Sequence, residues 1–332
     1  MKKKLALSVI FIFSFFLWGR NVPFVYAQET LLFPDLPETD RYYEAIHFLY
    51  DLEVVEGYED NTFRPYDEIN RAETLKILLL AFDETENVNP VELNNATPDA
   101  TFTEPPTPTL YFSDVQQDDW FFPYIQTAYE KGIVNGYDDG SFAPENTVNL
   151  AEALKMLIKT SGTFNEPYVS PTLFEDPAPD VLKDTWYANY VSYAFTNGLA
   201  YIKKDGNLHA GDPLTRGALA DIIYRFKNPG IYSGVMEYGV ASYYGQSFDG
   251  HNTASGEPLA QNEYQAAHKT LPFGSHVRVT NPANGNTIIV KIVDRGPYVE
   301  GRILDLTTGA FEALGKDLSA GVVEVEMEIV YN

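Results

Sequence analysis

Apolar and polar positions alternate most cleanly near the C-terminus, where Val323, Val325, Met327 and Ile329 are interleaved with Glu324, Glu326 and Glu328. A period of two places successive side chains on opposite faces, so this run predicts a half-buried strand with an acidic outer face. Two further β-rich runs, Val277–Thr280 and Thr287–Val293, flank the turn Asn281-Pro-Ala-Asn-Gly285. A short helix is predicted over Thr307–Leu314, with Gly315 as its C-cap. Short strands around one small helix predict a compact barrel over residues 236–332.

Upstream the period changes. Apolar residues recur at steps of three and four over Tyr43–Leu52, Tyr124–Lys131 and Tyr187–Phe195, which predicts three amphipathic helices. They belong to an internal repeat, because Glu53–Glu73, Gly132–Glu152 and Gly198–Ala218 align without a gap. Gly57-Tyr58-Glu-Asp-Asn-Thr-Phe63-Arg-Pro65 matches Gly136-Tyr137-Asp-Asp-Gly-Ser-Phe142-Ala-Pro144, and the third copy reads Ile202 to Ala210 there. Each tract follows an aromatic-x-Asp start, Phe33-Pro-Asp35, Phe112-Ser-Asp114 and Phe174-Glu-Asp176, and Trp120 and Trp186 precede the second and third tracts at equivalent places.

Within one unit the first helix leads to a turn whose Asp-Gly or Asp-Asn pair tolerates left-handed backbone angles. Phe63 and Phe142 then turn back into the core, and Asn70, Asn149 or Thr215 caps a second helix. No unit is large enough to bury a core alone, so the three are expected to pack together. The boundaries are 30–85, 111–161 and 173–228, separated by 86–110 and 162–172, whose Pro, Thr and Asn content predicts extended linkers.

Charge and composition narrow the function. Lys2, Lys3 and Lys4, the apolar run Leu5–Trp18 and the small residue ending Val25-Tyr26-Ala27 read as an export signal over residues 1–27. Its run is too short for a membrane span, and none is predicted after cleavage. Loss of its four cationic residues takes the net charge from −24 to −28. Such an acidic chain excludes a nucleic-acid partner, which needs basic neutralisation. The absence of cysteine removes thiolate metal sites and thiol nucleophiles. No His/Asp/Glu cluster has metal-ligand spacing, so neither metal nor cofactor is expected.

The three tracts resemble S-layer homology repeats, whose second helix opens on Thr-Arg-Ala-Glu. Here the motif reads Asn70-Arg71-Ala72-Glu73, Asn149-Leu150-Ala151-Glu152 and Thr215-Arg216-Gly217-Ala218. The resemblance implies a three-repeat bundle that holds the protein on the cell wall through secondary wall polysaccharide, often pyruvylated, with Arg71 and Arg216 in the anionic-sugar sites. Leu150 departs from the motif, which implies a weakened middle groove. Glu73 and Glu152 are expected to cap the helices or pair with a neighbour.

In the last region, Ala241-Ser-Tyr-Tyr-Gly245, Thr253-Ala-Ser-Gly-Glu257, Ala267-His268, Leu271-Pro272, Asp294-Arg-Gly-Pro297 and Asp305-Leu-Thr307 occur in one order. That series resembles the rare-lipoprotein-A-like double-psi β-barrels, with Tyr243 for the usual Trp, Tyr298 for Phe and Thr307 for Ser. The implied fold class is multidomain α+β, an all-α repeat bundle followed by a six-stranded double-psi β-barrel. The implied activity is endolytic cleavage of peptidoglycan glycan strands by lytic transglycosylation, with Asp294 as acid and base and with Glu257 and His268 in support. Tyr243, Tyr244, Arg295 and Asp305 are the glycan-binding candidates, and the implied location is the cell wall or cell surface. The alternative is a non-catalytic, expansin-like wall-loosening protein.

Overall fold

The computed structural model describes residues 31–82, 111–163, 178–181 and 184–330. The signal at 1–27, the linker at 86–110, most of that at 162–172 and the Phe174-Glu-Asp176 start lie outside the described residues. Among the described residues six helices come first: α1 Tyr43–Asp51, α2 Arg71–Ala81, α3 Phe122–Glu130, α4 Leu150–Thr160, α5 Ala188–Thr196 and α6 Arg216–Lys227. Among the described residues no helix is long and apolar enough to cross a membrane.

The three repeat units contribute the helix pairs α1–α2, α3–α4 and α5–α6, and the pairs join in a closed ring. Between units, α2 packs on α3, α4 on α5, and α6 returns to α1. Backbone bonds close the same cycle: Arg71 N donates to Asn146 O, Leu150 N to Asp212 O, and Arg216 N to Asp67 O. Each second helix has its side-chain cap at Asn70, Asn149 or Thr215, and in α2 and α4 Glu73 and Glu152 complete a capping box. One apolar core runs through all three pairs and includes Phe63 and Phe142, which are fully buried.

A single aspartate latches the long turn in each unit. The amides of Phe63 and Arg64 donate to Asp35 at 2.8 and 2.7 Å, and those of Phe142 and Ala143 donate to Asp114 at 2.7 Å each. In the third unit the amides of Leu208 and His209 donate at 3.0 and 2.7 Å to Asp180, so the equivalent start is Ala178-Pro-Asp180 rather than Phe174-Glu-Asp176. The sequence hides this because two residues exchange size. Gly57 and Gly136 lie against the rings of Phe33 and Phe112, where an added Cβ would come within 2.6 and 2.4 Å. The third unit has Ala178 for the aromatic ring and Ile202 for the glycine, both packed on the core. Asp114→Ala removes two charge-assisted bonds to backbone amides and is expected to cost about 2 kcal/mol, read by denaturant unfolding.

The connection Asn228–Ile231 leads straight into the barrel, whose first strand begins before residue 236. Its strands are β1 Tyr232–Tyr243, β2 Gln265–Ala267, β3 His276–Thr280, β4 Thr287–Asp294, β5 Arg302–Leu306 and β6 Val323–Val330, with α7 Thr308–Ala313 before β6. They close in the order β1-β5-β2-β4-β3-β6, with β1–β5 and β2–β4 parallel. The predicted alternation in β6 is present: Val323, Val325 and Met327 point into the barrel core with Phe311 of α7. This is the α+β, bundle-then-barrel architecture expected from the sequence.

The outer face of β6 is not simply solvated. Glu328 is wholly buried, and its carboxylate receives Arg225 of α6 at 2.8 and 2.9 Å. Arg278, its neighbour on β3, lies 3.4 Å from Glu328 and 3.4 Å from Asp221 of α6, while Arg225 also pairs with Asp221 at 2.8 Å. Two acids and two guanidiniums thus form a buried square across the junction of bundle and barrel. The Tyr232 ring lies under both guanidiniums, at 4.5 and 4.4 Å, and its hydroxyl donates to Glu44.

Candidate active site and grooves of the helical bundle

The register of four strands sets Ser242, Asp305, Ala267 and Asp294 side by side. Ser242 of β1 pairs with Asp305 of β5, Asp305 with Ala267 of β2, and Ala267 with Asp294 of β4. On β5, Leu304 and Leu306 fill the core, so Asp305 between them faces the other way. The row therefore lies on the outside of the barrel, where the loop at Thr253–Glu257 and the segment Arg295–Pro297 flank it.

Three donors converge on Asp294. The Tyr244 hydroxyl donates to Oδ2 at 2.7 Å, and the amides of Ala254 and Arg295 donate to Oδ1 at 2.8 and 2.9 Å. Burial, the bond to Asp294 and the nearby Asp294 and Asp305 charges push the Tyr244 phenol well above its usual range, so it stays a donor. Arg295 turns its guanidinium away from the carboxylate, stacking on Phe273 at 3.8 Å and donating to the His268 carbonyl at 3.4 Å. Asp305 accepts a short hydrogen bond from the Ser242 hydroxyl, to which Arg302 donates at 3.1 Å.

The other two catalytic candidates sit at this end of the barrel without bonding Asp294 through their side chains. Glu257 receives Lys291 of β4 on both oxygens at 2.8 Å. His268 is buried, and its Nδ1 accepts the amides of Thr270 and Leu271, which leaves Nε2 to donate to Glu237 of β1 at 3.3 Å. The histidine thus fixes the loop after β2, and its own amide is bonded to the Asp294 carbonyl at 3.2 Å. Tyr243 leaves the site altogether: its ring packs on Phe311 and its hydroxyl donates to the Leu318 carbonyl. Neighbouring positions on a strand face opposite ways, so only one tyrosine of the pair can reach the groove.

The bundle carries two matching grooves. The first, about 230 Å³, is walled by Tyr58, Glu73, Lys76, Trp120 and Arg216, and the second, about 270 Å³, by Tyr137, Glu152, Lys155, Trp186 and Arg71. Each arginine enters from the neighbouring unit. Arg71 donates to the Phe142 carbonyl and to Glu152, and Arg216 donates to the Phe63 carbonyl and lies 3.7 Å from Glu73. Glu73 and Glu152 therefore both cap a helix and pair with a neighbouring arginine. The lysines carry no ion pair among the described residues, and their ammonium groups lie 5.8 and 5.1 Å from the Trp120 and Trp186 rings. The expectation for Leu150 is corrected by this geometry. The motif position serves the following unit's groove, so Leu150 lines the third groove and the middle one keeps Arg71.

Sequence reasoning missed Lys76, Lys155, Lys291 and Glu237. The two groove lysines stand five residues after Arg71 and Leu150, just past the ends of the aligned tracts, a signal legible by extending the alignment. Lys291 and Glu237 become visible only through strand pairing and loop placement.

Comparison with known proteins bears on both regions. Residues 236–327 match the protein-family model for lytic transglycolases, and residues 32–75 and 111–154 match that of the S-layer homology domain. A Synechocystis sp. protein named probable endolytic peptidoglycan transglycosylase RlpA is 51% identical over 92 residues, 28% of each chain. The endolytic peptidoglycan transglycosylase RlpA of Vibrio cholerae is 38% identical over 162 residues, 47% of this chain and 54% of that one. The chain thus spans about half or less of these relatives' length. Among solved structures, the Streptomyces papain inhibitor is 27% identical with a TM-score of 0.25, covering 29% of this chain and 94% of that one. The Clavibacter michiganensis expansin is 25% identical with a TM-score of 0.25, covering 29% and 51%. The barrel is thus similar to the lytic transglycolase family, and the first two repeat units to the S-layer homology domain.

Proposed function

We propose that this chain is an exported, wall-anchored lytic transglycosylase whose barrel cuts peptidoglycan glycan strands and leaves 1,6-anhydro-muramyl ends. The observation that carries the reading is Asp294, set at the end of β4 in an outward-facing row with Asp305 and oriented by Tyr244 and two amides. Hydrolytic glycosidases need two carboxyl groups because water must be activated or a covalent intermediate resolved. Transglycosylation needs only one group that gives a proton and then takes one. Asp294 protonates the leaving 4-oxygen as the C1–O bond breaks. The substrate's 6-hydroxyl attacks C1, and its proton passes to the Asp294 carboxylate, so the enzyme ends as it began. Tyr244 holds the carboxyl throughout, Glu257 with Lys291 borders the glycan, and His268 keeps the loop after β2 in place.

The three helix pairs act as S-layer homology repeats that hold the chain on secondary wall polysaccharide. In each of the first two grooves a lysine with no ion pair among the described residues stands beside a tryptophan and suits an anionic sugar, with Arg71 or Arg216 shaping the wall. Anchoring raises the local concentration of the barrel at its polymer.

Two measurements test this. Purified peptidoglycan stripped of stem peptides is incubated with the protein, and soluble products are read by mass spectrometry. Fragments with anhydro ends are expected; binding without release contradicts the reading in favour of an expansin-like role. Tyr244→Phe is expected to slow release between about tenfold and a hundredfold, the value of one hydrogen bond to a charged group. An unchanged rate limits Tyr244 to packing.

A further inference from the structure

The three helix pairs are related by a near-threefold repeat, so the third groove can be compared position by position with the other two. Where they carry arginine it has Leu150, where they carry glutamate it has Ala218, and where they carry lysine it has Asp221. Trp120 and Trp186 lie six residues after Asp114 and Asp180; six after Asp35 stands Arg41. Lys203 replaces the tyrosine. Every position that equips the first two grooves for a sugar anion has changed.

The replacements reach the barrel. Arg41 donates to Glu326 of β6 at 3.4 Å, and its amide donates to the Gly285 carbonyl at the β3–β4 turn. Asp221 takes Arg278, and Lys204 beside the groove takes Glu324 at 3.2 Å. Tyr238 of β1 donates to the Ile202 carbonyl at 2.9 Å. The other polar side chains at this groove are also engaged, Lys203 with Asp212 and His209 with Asp205. The space of about 580 Å³ left at the junction has barrel residues Pro282 and Glu326 in its wall.

We infer that the third groove has been given over from ligand binding to holding the chain's own barrel, so that bundle and catalytic barrel form one rigid body with two wall-ligand grooves. The joint stands on the contacts above; only the count of ligand grooves rests on the proposed anchoring. The consequence is positional: the anchor sets the angle at which the Asp294 row meets the wall polymer.

The chain has no cysteine, so Asp51→Cys on α1 and Glu312→Cys on α7, two exposed sites, give a clean pair of spin labels. Pulsed dipolar spectroscopy of the full chain is expected to show one narrow distance peak. The triple variant Arg41→Trp, Leu150→Arg, Asp221→Lys, which restores the other grooves' residues, is expected to broaden it. Lys76→Asp with Trp120→Arg in the first groove is expected to leave it unchanged. Should the triple variant lose its helical circular dichroism, Arg41→Ala with Lys204→Ala provides the milder version, again with broadening expected. A broad distribution in the unaltered chain, or a narrow one in every folded joint variant, overturns the inference. Crystals soaked with a 4,6-O-pyruvylated N-acetylhexosamine are expected to show the first two grooves occupied and the third empty. Occupancy of the third groove overturns the proposed division. No occupancy in any groove, with the narrow peak retained, refutes the sugar-anion reading of the anchor and leaves the joint standing.

Discussion

Asp294→Asn is expected to lower glycan release at least about a thousandfold while leaving the barrel folded, as removal of a general acid–base group commonly costs a hundred- to ten-thousandfold. The substitution is a fair test because the site tolerates it sterically. The amide oxygen can still accept from Ala254 and Arg295, and the amide nitrogen facing Tyr244 can donate to the phenol oxygen. On the proposed role, what disappears is the proton given to the leaving oxygen and the base that receives the one from the 6-hydroxyl. Release rate and melting temperature measured on the same preparation separate chemistry from folding. A rate within tenfold of the unaltered protein contradicts the assigned role.

The second large effect belongs to the joint. Glu328→Ala removes the acceptor of two guanidiniums, Arg225 and Arg278, and of the Gly234 amide, in a place with no access to water. Breaking a buried ion pair from one side costs about 3–5 kcal/mol, because the remaining charges stay buried and uncompensated. Combining Glu328→Leu with Arg225→Met is expected to recover part of that loss, which a purely packing explanation does not predict. The same square gives a pH dependence. Burial pushes the Asp221 carboxyl up, but Arg225 and Arg278 outweigh it and hold the carboxyl below its ordinary range. A depressed carboxyl stabilises the folded form fully above the ordinary carboxylate range and loses that contribution as pH falls through the folded value. The melting temperature is therefore expected to be flat at neutral pH and to drop below about pH 4.

Much of this architecture was legible from the chain. The 3.6 and 2 periods located helices and strands, the asparagine and threonine caps marked where second helices begin, and the order of six motifs brought Asp294, Glu257 and His268 to one end of a barrel. What stayed hidden follows from physics that periodicity does not carry. Ala178 stands where the other units have phenylalanine and Ile202 where they have glycine, which disguised the third unit's start and concealed Asp180. The motif arginines act in the next unit's groove, so Leu150 could not be assigned to its groove from within its own tract. Glu328 reads as one of three solvent-facing acids in β6, and only the approach of α6 buries it. Tyr243 and Tyr244 are adjacent and chemically alike, and strand register alone decides which one meets Asp294.

The most direct test of the central claim is digestion of purified, stem-peptide-free peptidoglycan in water enriched in oxygen-18, with every new glycan end analysed by mass spectrometry. Attack by the substrate's own 6-hydroxyl incorporates no solvent oxygen, so the account predicts 1,6-anhydro ends free of the label, and at least about a thousandfold fewer of them from Asp294→Asn. Labelled reducing ends from the unaltered protein would show that water is the nucleophile and would contradict it.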